Sequence, residues 1–239
     1  MTLGAEDSPS SADDQKRAAG EAAARLVEDR MTVGLGTGTT AAWFVKALAD
    51  RRLAVTCVAT SEATASLAQS LGMAIVDLDD AGAVDLTVDG ADELDSQLRL
   101  IKGGGAALLR EKLVWRASAR CIVIADESKQ VETLGKCPLP IEVVTFGHKT
   151  TARRVAAVLA SFGVDAPPLL RTKDGLAVST DSGNVIYDAR CEAIAEPSAL
   201  GEALKAITGV VEHGLFLDLA AQAFIGTTAG VRAIRPKGN

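Results

Sequence analysis

Asp89 and Asp92 flank Gly90 and Ala91 in DLTVDGADELD (residues 85–95), a stretch with five carboxylates. Carboxylates held close together push one another's pKa upward, so one can stay partly protonated and shuttle protons near neutral pH. Helix capping by Asp92, or a solvated acidic turn, would use the same residues. A second stretch, LRLIKGGGAALLREKLVW (98–115), brings Lys102 to the end of a predicted strand and follows it with Gly103, Gly104 and Gly105, which let backbone approach a ligand. The helix predicted from about Ala106 places Leu108, Glu111 and Trp115 on one side at 100° per residue, flanking the Glu111 carboxylate with apolar groups. Burial there would raise its pKa and strengthen it as a base; an ion pair with Arg110 or Lys112 is the alternative.

A third stretch, VGLGTGTTAAWF (33–44), has a strand in front, a helix behind and Gly34, Gly36 and Gly38 between. Backbone N–H groups at the helix N-terminus, with the hydroxyls of Thr37, Thr39 and Thr40, are suited to holding an anion. No Gly-Lys-Ser/Thr closes the loop, and Thr39 stands where GxGxxG needs glycine. Glu62 lies near the spacing of a ribose-binding acid, which leaves a dinucleotide site open, as does a tight turn that merely needs small residues. A phosphate cradle, a lysine, two aspartates and a semi-buried glutamate together suit proton transfer beside the carbonyl of a phosphorylated metabolite.

The elements that must position these residues alternate. A helical pattern over 13–28, then strand and helix signals through CIVIAD (121–126), with MAIVDL (73–78) as one of the strands, predict an α/β fold. It is a Rossmann-like, mostly parallel sheet with helices on both faces and the ligand beyond the carboxyl ends of its strands. The three stretches are expected as loops at that one edge of the one sheet, with Asp89, Asp92 and Glu93 in the loop that follows the strand over 84–88. From IEVVTF onward the order becomes βαββαβ, a smaller α+β ferredoxin-like unit whose last strand is VVEHGLF. The expected division is a disordered extension over 1–12, an α/β catalytic domain over 13–139 and 213–239, and a small domain over 140–212.

The 239 residues are 48% apolar, enough for a sizeable core, and the net charge of -6 offers no basic stripe for nucleic acid. No stretch of 18 uncharged apolar residues and no signal-like N-terminus is present, so a cytoplasmic protein without membrane partners is expected. Four scattered cysteines read as reduced thiols, and two histidines make a metal site unpromising.

In their order and spacing VGLGTGTTA, VDGADELD, LIKGGGAALLREK, IADESKQVETLGKCPLPIEV and VSTDSGNVIYD resemble ribose-5-phosphate isomerase, type A, over residues 13 to 236. The resemblance implies interconversion of D-ribose 5-phosphate and D-ribulose 5-phosphate in the non-oxidative pentose phosphate pathway, without metal or organic cofactor, by a homodimer or tetramer. It implies that Glu111 is the base working through a cis-enediol and that Asp89 and Asp92 assist ring opening and manage hydroxyl protons. Lys102 would stand near the reacting oxygens, with Gly90, Ala91, Gly103, Gly104 and Gly105 lining the pocket. Thr37, Gly38, Thr39 and Thr40 would form the phosphate loop, Lys129 would contact substrate, and Lys16 would add a phosphate cation. Thr39 departs from the serine of many relatives. A phosphosugar sensor on a related scaffold would need the loop without Glu111, Asp89 and Lys102, and a CoA-transferase-like enzyme would use a glutamate nucleophile.

Overall fold

The computed structural model describes residues 11–236. Of the expected disordered extension, residues 1–10 lie outside the described residues, but Ser11 and Ala12 are ordered. Ser11 caps α1 (Ala12–Ala24): its Oγ accepts from Asp14 N at 3.1 Å while the Asp14 carboxylate accepts from Ser11 N, a reciprocal capping box. The helix stops short of Glu28 because the Arg51 guanidinium takes the carbonyls of Ala24 and Val27.

The chain continues through β1 (Thr32–Leu35), α2 (Thr39–Asp50), β2 (Thr56–Ala59), α3 (Glu62–Ser70) and β3 (Leu86–Gly90). Two short strands, β4 (Glu93–Leu94) and β5 (Leu100–Ile101), precede α4 (Leu108–Arg116) and β6 (Cys121–Asp126). Then come β7 (Leu139–Val143), α5 (His148–Ser161), β8 (Leu169–Leu170), the hairpin β9 (Thr172–Lys173) and β10 (Leu176–Ala177), β11 (Val185–Ala189), α6 (Pro197–Lys205) and β12 (Val210–His213). The chain ends in β13 (Leu215–Phe216), β14 (Gln222–Thr227) and β15 (Gly230–Ile234).

The main sheet has the order β15-β14-β6-β3-β1-β2 and is parallel except at β15. Both faces are covered, so β6 is buried throughout: Ile122 and Ile124 join the core under α1 and α2, and Cys121, Val123 and Ala125 join the core containing Leu108 and Trp115 of α4. After β1 the chain moves to β2 on one side and then crosses to β3 on the other. The carboxyl ends of β1 and β3 therefore splay connections in opposite directions, which opens a crevice between them. A second sheet, β12-β7-β11-β8, is antiparallel, in the order of a ferredoxin-like unit, and packs its apolar face on α5 and α6.

Two predicted strands differ. MAIVDL forms only a single bridge, Cys57 to Ile75, because Val76 and Leu78 turn into a small side cluster with Val84 and Val114 and the segment leaves the sheet edge. VVEHGLF breaks at Gly214, where an added Cβ would lie 2.3 Å from the Lys102 carbonyl oxygen. The first half stays in the second sheet as β12, and the second half joins a three-stranded antiparallel sheet, β13-β5-β4.

Candidate active site

At the crevice, β1 runs into Gly36, whose added Cβ would lie 2.2 Å from Asp89 Oδ1; only glycine lets the loop cross this close to β3. Gly38 then turns with φ of 110°, in the left-handed region, and opens α2, so the first N–H groups of that helix face the crevice. Thr37 is used differently from the sequence expectation. Its Oγ1 lies 2.7 Å from Thr60 Oγ1, 2.8 Å from Ser61 Oγ and 3.1 Å from Thr64 Oγ1, so its hydroxyl braces the loop against the start of α3. Thr60, Ser61 and Thr64 escaped the sequence analysis, although a serine N-cap after a strand was a signal of a rigid turn there.

Across the crevice, Asp89 closes β3, within the strand and not in the loop expected for it. Its Oδ1 accepts from Thr37 N at 3.1 Å and Gly90 N at 2.7 Å; its Oδ2 accepts from Trp115 Nε1 at 3.2 Å and lies 2.9 Å from Lys102 Nζ. With no exposed surface, Asp89 sits beneath the cavity floor. Glu93 also leaves the loop: in β4 its carboxylate accepts from the N–H groups of Gly135 and Cys137. Asp92 accepts from Gly104 N at 2.8 Å.

Lys102 arrives from β5 in the three-stranded sheet, so the three nominated loops do not share one sheet as expected; the Gly214 break brings the separate sheet to the crevice. Lys102 Nζ donates to the Gly90 carbonyl at 2.7 Å and to Glu111 Oε1 at 3.2 Å, with the Phe216 and Trp115 rings 5.5 and 5.7 Å away. Burial opposes its charge, but the carboxylates of Asp89 and Glu111 outweigh burial and hold its pKa above the ordinary lysine value.

Glu111 faces the crevice from the first turn of α4 and is 3% exposed. Burial pushes its carboxyl up to about 8, against the pull of Lys102 and with Asp89 adding to the rise. Neither neighbour captures it. Arg110 pairs with Glu62 and Asp181, Lys112 pairs with Glu212 at 2.8 Å, and Glu111 Oε2 is buried without a hydrogen-bond partner among the described residues. Glu62, the candidate ribose acid, is largely exposed and outside the cavity.

The cavity is about 120 Å3 and is lined by Lys16, Lys129, the Thr37–Thr40 loop, Gly90, Ala91, Asp92, Lys102, the three glycines and Glu111. Every nominated residue except Asp89 reaches its wall. Gln15 and Glu127 hydrogen-bond at 2.7 Å and tie the helix that carries Lys16 to the turn that carries Lys129. Arg171 was missed; its Nη1 donates to the carbonyls of Gly103 and Gly104 at 2.8 and 3.1 Å. A larger cavity of about 470 Å3, beyond α4, holds Lys112, Glu212 and His213 but no nominated residue. The smaller one is the candidate because a helix N-terminus, cations and an unpaired carboxylate oxygen converge in it. Among the described residues no group of three His, Cys, Asp or Glu could hold a metal ion, and no helix is long and apolar enough to cross a membrane.

Fold and site define a class: α/β proteins with an anion cradle at a topological switch point, set against a lysine–carboxylate cluster suited to moving protons. The sequence model of ribose 5-phosphate isomerase A (phosphoriboisomerase A) matches residues 56–230. That of the DeoR C terminal sensor domain matches residues 11–76, which contain the anion loop and none of Asp89, Asp92, Lys102 and Glu111. Ribose-5-phosphate isomerase A of Caulobacter sp. (strain K31) is 64% identical over 226 residues, 95% of this chain and 100% of that one. The structure of ribose 5 phosphate isomerase A from Neisseria gonorrhoeae superposes with a TM-score of 0.88 at 35% identity, over 95% of this chain and 99% of that one. A D-ribose-5-phosphate isomerase in complex with phospho-erythronic acid gives a TM-score of 0.88 at 37% identity, over 94% and 99% of the two chains. The chain belongs to the ribose 5-phosphate isomerase A family.

Proposed function

We infer that this chain interconverts D-ribose 5-phosphate and D-ribulose 5-phosphate, and we propose that it does so by carboxylate and lysine chemistry alone. The phosphate sits at the Gly38–Thr40 turn, against the N–H groups of α2, with Lys16 and Lys129 adding positive charge. The complex of the solved relative with phospho-erythronic acid supports a phosphorylated ligand. With the sugar chain open, Glu111 takes the proton from C2; the C–H electrons form the C1–C2 double bond and the carbonyl pair moves onto O1. Lys102 stabilises the resulting enediolate oxygen. Glu111 then returns the proton to C1 while the C2 hydroxyl proton passes to O1, so that C2 becomes the carbonyl and C1 carries the hydroxyl of the ketose. Asp92, on the cavity wall, handles hydroxyl protons and assists ring opening, and Asp89, below the floor, holds Lys102 charged and in place.

One observation carries this reading. Glu111 rests one oxygen on Lys102 and leaves the other unpaired and buried, at a cavity whose opposite wall is a helix N-terminus. The test is turnover of ribose 5-phosphate by purified protein in EDTA. Undiminished activity is expected, with Glu111→Gln lowering kcat about 10²–10⁴-fold and leaving KM near the wild-type value. Loss of turnover on chelation, or a fully active Gln variant, overturns the mechanism. On the family resemblance we also propose a cytoplasmic homo-oligomer, a dimer or tetramer, with no nucleic-acid or membrane partner; sedimentation measures the first of these.

A further inference from the structure

The peptide unit between Gly103 and Gly104 is held at both ends. Its carbonyl accepts from Arg171 Nη1 at 2.8 Å, and its N–H donates to Asp92 Oδ2 at 2.8 Å. The other peptide oxygen of the loop, that of Gly104, accepts from the same Arg171 nitrogen at 3.1 Å. The remaining edge of the guanidinium is fixed by Asp188, with Nε to Oδ2 at 2.8 Å and Nη2 to Oδ1 at 2.5 Å. That fork is mounted on adjacent strands: Asp188 lies in β11, and Arg171 follows β8 and donates its own N–H to the Ile186 carbonyl. Arg171 lies outside the cavity wall and Asp92 lies on it. The glycines supply no side-chain packing of their own, so these bonds, together with the turn bond from Ala106 N to the same Gly103 carbonyl at 3.0 Å, fix where the loop stands.

We propose that Arg171 is a positioning residue for the isomerisation and acts on Asp92 through this single peptide unit. A cationic donor on the carbonyl polarises the amide and strengthens its N–H as a donor to the carboxylate. The same bond fixes the peptide plane, which holds one Asp92 oxygen and leaves Oδ1 without a protein partner among the described residues. The second sheet thus reaches the reacting groups of the main sheet without touching substrate. This inference rests on the role proposed above for Asp92.

A double-mutant cycle on the full chain tests it. Arg171→Ala is expected to lower kcat about tenfold with KM changed less than threefold, and Arg171→Lys, which keeps the charge but loses the fork, is expected to recover part of the loss. In an Asp92→Asn background the same Arg171 substitutions are expected to cost less than twofold, because the route to the chemistry is already cut. Equal losses in both backgrounds overturn the proposal and show that Arg171 acts only on the general build of the loop, as does an Arg171→Ala enzyme with wild-type kcat. If Arg171→Ala does not fold, the cycle run with Arg171→Lys decides by the same criterion. Full activity in Asp92→Asn alone removes Asp92 from the chemistry, and this inference falls with it; an impaired Asp92→Asn with additive losses overturns this inference and leaves the site reading standing.

Discussion

Glu111 carries two opposed demands. As a base it must be ionised, yet burial pushes its carboxyl up to about 8, so near neutrality much of it holds a proton. For the free enzyme, kcat/KM is therefore expected to rise with pH through the region around 8 and then level; a pH–rate profile already flat from pH 6 would count against Glu111 as the base. Stability runs the other way. The folded-state pKa lies above the unfolded value, so the folded chain binds the extra proton between the two. The contribution of this group is complete below about 4.3, is lost progressively as pH rises, and is gone above the folded value. In Glu111→Gln the pH-dependent loss disappears. The variant is expected to melt above wild type at pH 9, by about 2–4 °C for each kcal/mol recovered, and to show no such gain at pH 4. Calorimetry at the two pH values separates these outcomes. A melting difference that does not depend on pH would mean that the carboxylate is not strained by its burial.

Among the elements, the start of α2 was legible in the sequence because glycine spacing and a following apolar helix have local causes. The same holds for Lys102, Asp92 and Glu111, whose loops reach one cavity as read. What local pattern did not contain was partnership across long separations. Arg171 bonds carbonyls 68 and 67 positions away, and the Thr37 hydroxyl, read as an anion donor, turns to residues 23 to 27 positions on. VVEHGLF gave no sign of dividing between two sheets, since Gly214 yields to a contact with the Lys102 carbonyl that only the folded chain creates. The hydroxyl cluster has a measurable consequence. Thr37→Val keeps shape but leaves Thr60, Ser61 and Thr64 short of a partner, which is expected to cost about 1–2 kcal/mol in urea unfolding. Because the loop loses its brace and not a ligand contact, KM should rise severalfold while kcat holds; a kcat collapse at constant KM would place the Thr37 hydroxyl on the substrate instead.

At the scale of the molecule, the second sheet touches the main one through a second bridge besides Arg171. Asp181 Oδ2 accepts from Glu62 N at 2.8 Å, at the start of α3 beside the hydroxyl cluster, and the Asp181 carbonyl accepts from Arg110 Nη2 at 2.8 Å. The turn bearing Asp181 is shaped within its own unit: Thr180 and Asn184 both donate to Glu142 Oε1 at 2.9 Å, and Thr145 Oγ1 donates to the Gly183 carbonyl at 2.7 Å. Asp181→Ala should therefore cut the crossing contact and leave the turn formed. The side chains of Asp181 and Arg110 are about a third exposed and their charges stand 3.6 Å apart, so solvent screening keeps the ion pair below about 1 kcal/mol. The change in overall melting should accordingly be small. The local change should not be: amide exchange at Glu62 is expected to quicken while exchange at Thr180 to Asn184 stays slow, since α3 loses a donor's partner and the turn does not. As α3 braces the anion loop through Thr37, KM for ribose 5-phosphate should rise by a few-fold and fall back toward wild type in Asp181→Asn, whose amide oxygen can still accept from the Glu62 N–H. Faster exchange in the 180–184 turn itself, or no recovery with Asn, would mean that Asp181 shapes its own unit and does not couple the second sheet to the anion loop.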